Sequence, residues 1–274
     1  MHRHNFILSA LLISFFFSLS ADAFAGWESG AKAGFDSNID RAVEGGMSDS
    51  FVTGFLSFTK EPVQDSNPGW TLDLSLEGAG YKESSCLNYG MATLSPAIIF
   101  YPHPRWNVSL SPFFHATAVK DAEQSAVAFG GEININQAWN QAYYTGEYIF
   151  YTDSRADIEI YSYKEKTAGI FAGVNWTDAF WSEIGYEFSR GDSFRAVGEV
   201  LTTRIGKGKS RRYSQAYHEY IISEPVGRHT ISVNMGCQFT SHIFSFINYA
   251  YSSYKGDAGT SESHTGDVGI GYQF

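Results

Sequence analysis

The chain has 274 residues, of which 43% are hydrophobic and 16% aromatic, and its formal net charge is −10. This negative charge argues against a nucleic-acid-binding protein, which needs basic residues to neutralise phosphates. The one long apolar run, at residues 6–19, is shorter than the ~20 residues of a membrane-spanning helix. The remaining chain therefore either stays out of the membrane or crosses it as strands.

The first 25 residues have the three parts of a secretory signal peptide. Arg3 and two histidines precede the apolar run, and the A-x-A sequence Ala23-Phe24-Ala25 follows it. We expect cleavage after Ala25 and a single domain over residues 26–274. No cysteine lies at the cleavage site, which argues against a lipoprotein.

The rest of the chain alternates apolar and polar residues with a period of two, the pattern of strands with one apolar face. It is clearest at residues 70–77, where Trp70 and Leu72 face one side and Asp73 and Glu77 the other. Strands are predicted at residues 27–36, 49–59, 70–77, 89–101, 106–118, 126–136, 140–151, 168–174, 180–189, 230–239, 243–254 and 268–274.

The number of strands depends on residues 194–223. One strand there gives thirteen, whereas single-chain bacterial barrels have even numbers. Dividing the stretch into strands at 194–205 and 212–222 gives fourteen, and treating it as a loop gives twelve. The sequence thus predicts an all-β protein, a closed antiparallel transmembrane β-barrel of about fourteen strands, with twelve as the alternative.

The last strand carries the most informative pattern. Apolar Val268, Ile270, Tyr272 and Phe274 alternate with glycine and Gln273. This ending resembles the C-terminal signature of Gram-negative outer-membrane β-barrels. The resemblance implies an outer-membrane location, contact with outer-membrane lipid and lipopolysaccharide, and recognition of Phe274 by the barrel-assembly machinery. We also expect this strand to pair with residues 27–36, which closes the barrel.

A second, shorter resemblance lies at the end of the first predicted strand. The sequence of residues 34–39, Gly-Phe-Asp-Ser-Asn-Ile, is similar to the opening of barrels for polysaccharide export and surface-lipoprotein assembly. No site residue is transferred from it.

The polar faces of the predicted strands are mainly acidic, and carboxylates around a pore favour cations. The candidate lumen-lining residues are Glu28, Lys32, Asp36, Asp73, Glu77, His115, Glu132, Glu147, Glu183, Glu187 and Asp267. They suggest a porin-like channel for passive passage of small hydrophilic or cationic solutes. The inward aromatics Phe113, Phe171 and Trp181 leave open whether the lumen is plugged. A sheath or secretion partner for another protein, and an outer-membrane hydrolase, are the alternative functions.

No catalytic, metal or cofactor site is predicted, and the protein is not expected to be an enzyme. Residues 36–40 begin like a calcium loop, but Arg41 and Met47 replace the required glycine and glutamate. The G-K-S within residues 206–210 lacks the first P-loop glycine, since Thr203 stands there. His218-Glu219 and Ser241-His242 are adjacent on strands and point to opposite faces.

The chain has two cysteines, Cys86 and Cys237. A disulfide between them is compatible with an oxidising compartment. Nothing in the sequence brings the two residues together, so the question stays open at this level.

Overall fold

The computed structural model describes residues 25–62, 67–198 and 211–274. Residues 1–24, which belong to the predicted signal peptide, and the 206–210 segment lie outside this part. The strands are β1 (Ala25–Asp36), β2 (Asp49–Lys60), β3 (Gly69–Tyr81), β4 (Tyr89–His103), β5 (Trp106–Val119), β6 (Ala126–Ala138), β7 (Tyr143–Ala156), β8 (Tyr163–Asn175), β9 (Phe180–Val197), β10 (Arg211–Ser214), β11 (Glu219–Gln238), β12 (Ile243–Gly256) and β13 (Gly259–Gln273). Within these residues, no helix is long and apolar enough to span a membrane.

Twelve of these strands form a closed antiparallel barrel. Each of β1 to β8 pairs with the next strand, β9 pairs with β11, and β11, β12 and β13 follow in order. The barrel closes where β13 pairs with β1, in a register that places Gly30 opposite Gly271. The pairing of the last strand with residues 27–36 is therefore confirmed. Closure leaves no open edge in the membrane-spanning part of the twelve-strand ring, as a strand protein in lipid requires.

The strand count is the smaller of the two predicted values, and the preferred fourteen was two too high. Residues 194–197 continue β9, and residues 219–222 begin β11. β11 continues through Pro225. On one edge of β11 the pairing with β10 ends at Ile222 and the pairing with β12 begins at Gly227, so residues 223–226 have no paired strand on that edge. Residues 199–210, where part of the extra strand was predicted, are outside the described residues.

The outer wall of the barrel is apolar. In β13, the side chains of Val268, Ile270 and Tyr272 are 42–57% exposed, whereas Gly269 and Gly271 are buried. Large exposed apolar surfaces mark contact with a partner or a lipid bilayer. A wall of alternate apolar side chains around a closed barrel is the lipid-facing surface of a transmembrane β-barrel.

The two ends of the barrel differ. At one end, which we call the turn end, neighbouring strands are joined by short turns such as 104–105, 139–142, 176–179 and 239–242. The opposite end, the loop end, carries the connections 37–48, 82–88, 120–125, 157–162, 198–218 and 257–258. Phe274 lies at the turn end, where its N–H donates to the Trp27 carbonyl at 2.8 Å.

The two cysteines are at opposite ends of the barrel. Cys86 lies in a loop-end connection and Cys237 near the turn end of β11, and both thiols are free. The structure therefore answers the open question: no disulfide joins them.

Candidate functional site

The inner wall is built from aromatic rings packed on glycines. A Cβ atom placed on Gly130 would overlap the ring of Phe113, and one on Gly146 would overlap Phe171. The other such pairs are Gly30 with Phe55, Gly34 with Phe51, Gly169 with Tyr148, Gly173 with Tyr144, Gly236 with Trp181, Gly269 with Phe246 and Gly271 with Phe244. The rings named as possible plugs are thus packed on wall glycines of neighbouring strands. Such pairing of an aromatic ring with a strand glycine fills the gap left by the missing side chain.

Ten of the predicted lumen residues occupy inward positions. The strand alternation and pairing registers place them opposite the exposed apolar face: Glu28, Lys32 and Asp36 on β1, Asp73 and Glu77 on β3, His115 on β5, Glu132 on β6, Glu183 and Glu187 on β9, and Asp267 on β13. Lys32 is the one cation of this set, and its Nζ lies 3.6 Å from a Glu77 carboxylate oxygen.

Glu147 is the exception and its predicted placement needs correction. It shares a face of β7 with Ile149, which is 63% exposed, and it lies opposite Ile135 and Ile170 on the outer wall. Its carboxylate accepts a bond from the Gln137 side chain at 3.2 Å. Both faces of β7 carry tyrosines, so the alternation of residues alone gives no clear inner face. The neighbouring strands decide which face lines the lumen.

The main cation of the lumen, Arg228, is absent from the predicted set. Its Nη2 lies 2.8 Å from Glu187 and 3.1 Å from Glu165, and it donates to the Ser189 hydroxyl at 3.0 Å. The Tyr148 hydroxyl donates to the same Glu187 at 2.8 Å. Because this strand was predicted to begin at residue 230, Arg228 was overlooked. Extending the alternation back by two residues would have found it.

A cavity of about 690 Å³ occupies the turn-end part of the lumen. Glu28, Lys32 and Glu77 line it together with the rings of Trp181 and Phe246. Turn residue Asp178 and the end of β13 at Gln273 also border it, so it extends to the turn end. The lumen therefore contains a polar space with aromatic walls next to this end.

The loop end is filled by a separate apolar core, which we call the loop cap. Its buried residues are Ala42, Leu87, Ile160, Tyr161, Ala196, Ala216, Tyr217 and Ile221. They come from the connections after β1, β3 and β7 and from the tips of β9 and β11 with the segment between them, which are spread around the ring of strands. A core shared by these segments has to cross the mouth of the barrel.

Hydrogen bonds at the tip of β9 show the same crossing. Pairing of β8 with β9 ends at Gly191, and beyond it the Ala196 N–H donates to the Asp40 carbonyl at 3.0 Å. Asp40 belongs to the connection after β1, on a distant part of the ring. The Tyr217 hydroxyl reaches the 120–125 connection, donating to Gln124 at 3.1 Å. The tip of the β9–β11 pair thus bends over the mouth.

An ion pair between Arg195 and Glu224 fastens the loop cap to the barrel. The two side chains are fully buried, and Nη1 lies 3.1 Å from Oε1. Arg195 also donates to the Gly259 carbonyl and the Ser261 hydroxyl, each at 2.8 Å. Glu224 accepts the Ala258 N–H at 3.1 Å. These bonds join β9 and β11 to the β12–β13 turn.

Burial also affects ionisable groups of the loop cap. Desolvation raises the pKa of the Asp40 carboxyl, although backbone N–H groups of Met47 and Ala42 donate to it and oppose the shift. Burial likewise raises the pKa of the Tyr217 hydroxyl. Both groups are therefore held more strongly in their neutral forms.

No arrangement of a hydrolase is evident around the inward histidine. The ring of His115 stacks on Phe113, with centroids 5.5 Å apart. In the described part of the chain, no three histidine, cysteine or carboxylate side chains form a group able to hold a metal ion.

Comparison with known proteins gives structural likeness alone. No family model matches the sequence, and no curated protein does. An outer-membrane channel from Pseudomonas putida F1 superposes with a TM-score of 0.57 at 8% identity, over 93% of this chain and 97% of the other. The NanC porin superposes with a TM-score of 0.51 at 8% identity, over 89% and 98%.

The chain has the outer-membrane porin-like β-barrel fold. At such low identity the likeness extends to the fold and not to any solute. Together with the apolar outer wall, it supports an outer-membrane location.

Proposed function

We propose that the barrel is an outer-membrane channel for small hydrophilic solutes, with a preference for cations. The observation that carries this proposal is the lumen, which is polar, holds more carboxylates than cations and contains the turn-end cavity. Carboxylates that face a narrow aqueous space attract cations and repel anions.

Several inward carboxylates are bonded to neutral groups. Asp73 accepts from Thr59 at 2.8 Å, Asp267 from Asn248 at 2.8 Å, and Glu183 from Asn234 at 3.3 Å. Within the described residues, no cation lies at salt-bridge distance from these three carboxylates. Their charge is therefore available to a passing ion.

The proposed orientation places the turn end in the periplasm, since outer-membrane barrels have short periplasmic turns and longer external loops. It agrees with a signal peptide cleaved after Ala25 and with recognition of Phe274 by the assembly machinery, both of which are part of the proposal. The loop cap then lies outside and closes the external mouth. Passage requires the loop cap to move.

Purified protein in planar bilayers tests this function. Wild-type channels should open in steps, and a salt gradient should give a reversal potential of cation-selective sign. Glu132→Gln removes an inward charge and should lower the ratio of cation to anion permeability. Glu147→Gln is the matched control, because it removes the same charge from the outer wall of the next strand and should leave the ratio unchanged.

Anion selectivity, or equal effects of the two variants, would contradict the proposed lumen. A barrel that stays silent even when the loop cap is destabilised would contradict a channel altogether. Recovery of a stoichiometric protein partner with such a silent barrel would instead favour the sheath or secretion function.

A further inference from the structure

Four cations form a cluster on the outer wall near the loop end, which we call the basic patch. They are Arg155 on β7, Lys164 and Lys166 on β8, and Arg190 on β9. All four are exposed. They alternate with inward residues such as Thr167 and Ser189 and thus face away from the lumen.

The charges of the basic patch are only partly compensated. Asp153 lies 3.1 Å from the Lys164 ammonium and 3.5 Å from the Arg155 guanidinium. Lys166 and Arg190 are directly opposite each other on β8 and β9. No carboxylate of the described residues lies at salt-bridge distance from either. Like charges opposite each other on one sheet face are destabilising, and an anion between them would remove the repulsion.

The depth of the basic patch matches the headgroups of one leaflet. Lys166 stands nine residues above Asn175, the turn-end limit of β8. At ~3.3 Å per residue and a tilt of ~40°, this is a height of about 23 Å. The apolar band of an outer-membrane barrel is about 25 Å tall. Outward Ala168 and Phe188 lie just below, so the patch sits where the loop-end leaflet begins to be polar.

An apolar recess adjoins the basic patch on the same outer wall. It has a volume of about 920 Å³, and Arg155 is at its border. Its floor consists of small outward residues on successive strands, among them Gly54, Gly78, Gly90, Ala92 and Ala116. Missing side chains make the wall concave there, and a hydrocarbon chain fits such a surface better than water does.

We infer that the basic patch and this recess bind a phosphorylated lipid with several acyl chains, namely the lipid A part of lipopolysaccharide. Its phosphates would lie between Lys166 and Arg190, where charge-assisted hydrogen bonds form and a guanidinium binds two oxygens. Its acyl chains would lie in the recess beyond Arg155. The inference uses the orientation proposed above, in which the loop end faces outside.

Binding of diphosphorylated lipid A to the purified barrel in detergent tests the inference. Lys166→Gln/Arg190→Gln should weaken binding by at least about tenfold, since each charged hydrogen bond contributes about that factor. Lys60→Gln/Arg105→Gln removes two cations at the turn end and is the matched control, with affinity expected within about twofold of wild type. Dephosphorylated lipid A should bind wild type about as weakly as the phosphorylated form binds the first variant.

Equal affinity of wild type and the Lys166/Arg190 variant would overturn the inference, as would equal binding of the two lipid forms. Tight binding of inorganic phosphate alone, unaffected by acyl chains, would show that the basic patch binds a free anion and not a lipid.

Heat-modifiable gel mobility reports whether each variant has folded. If the variant does not fold, the wild-type protein still tests the inference, because its affinity for diphosphorylated lipid A must fall with rising salt. Because the patch is outside the lumen, the variant should conduct like wild type, which separates this test from that of the channel.

Discussion

The two ends of this barrel differ in how their strands are connected and in what the connections bury. At the turn end most strands are joined by four residues or fewer, apolar side chains face the lipid, and the lumen keeps a cavity of about 690 Å³. At the loop end the connections carry their own apolar residues, which have no lipid to face and bury each other across the mouth. A cavity remains where connections are short, and a shared apolar core forms where they are long enough to meet.

Two arginines with carboxylate partners show how the lumen differs from the loop cap. Arg228, in the lumen, keeps 23% of its side chain exposed and faces two carboxylates, so water still reaches the group. Arg195, in the loop cap, is fully buried with Glu224. Partly hydrated charges suit a path for ions, whereas a dry ion pair holds two segments in one arrangement. The lumen and the loop cap can therefore be disturbed separately.

The largest effect is expected from Arg195→Ala. This variant removes the buried guanidinium that faces the Glu224 carboxylate. Loss of one member of a buried ion pair costs up to about 3–5 kcal/mol. The loop cap should open while the barrel stays intact. Hydrogen exchange of residues 37–48 should become much faster, exchange in the β1–β13 pairing should not change, and the open time in bilayers should increase.

The double variant Arg195→Met/Glu224→Leu provides the control for charge. It replaces both partners by apolar groups of similar size, a change that is often nearly neutral. Closure should return only in part, because the Gly259 carbonyl, the Ser261 hydroxyl and the Ala258 N–H lose their bonds to the pair. Unchanged exchange in Arg195→Ala would show that the ion pair does not hold the loop cap.

A smaller effect is expected at the inner wall from Gly169→Val. The new side chain overlaps the ring of Tyr148 and forces it off the wall, with a cost of about 1–3 kcal/mol. The ring would move into the lumen and lose its bond to Glu187. Single-channel conductance should fall, whereas closure at the loop end should not change. Gly80→Val is the control, since a Cβ there meets nothing within 4 Å; equal conductance in the two variants would refute the wall packing.

The smallest effect concerns pH and Asp40. Burial raises the pKa of this carboxyl above its usual 3.8, so the closed loop cap binds the proton more tightly than the open one. Its contribution to closure is complete below pH 3.8 and is lost as pH rises through the raised pKa. Open probability should therefore rise with pH over this range.

Asp40→Asn isolates that contribution. The amide keeps an oxygen for the N–H groups of Ala42 and Met47 but does not ionise. The pH dependence of the open probability should become weaker, with the remainder due to Glu219, whose carboxyl pKa is also raised by burial. The same pH dependence in wild type and variant would assign the effect to Glu219.

Much of the fold was predictable because a strand that faces lipid on one side alternates apolar and polar residues along its sequence. Alternation in β1, β3 and β13 identified the lumen face, and the closing pair was located from residues 268–274. It failed at Glu147, where tyrosines on both faces of β7 remove the contrast. The prediction also ended β9 too early, at residue 189, and began β11 too late, at residue 230. These strands extend beyond the membrane and have 18 and 20 residues.

The sequence by itself determined the class of fold, the closing strand and most of the acidic inner face, because a period of two is a local property of the chain. Only the tertiary structure decided the twelve-strand ring, the loop cap and the partners of Arg195 and Arg228. These depend on contacts between segments far apart in the chain, such as Asp40 with Ala196. Such contacts form because closure of the ring brings the loops together, and no local pattern of residues records which of them will meet.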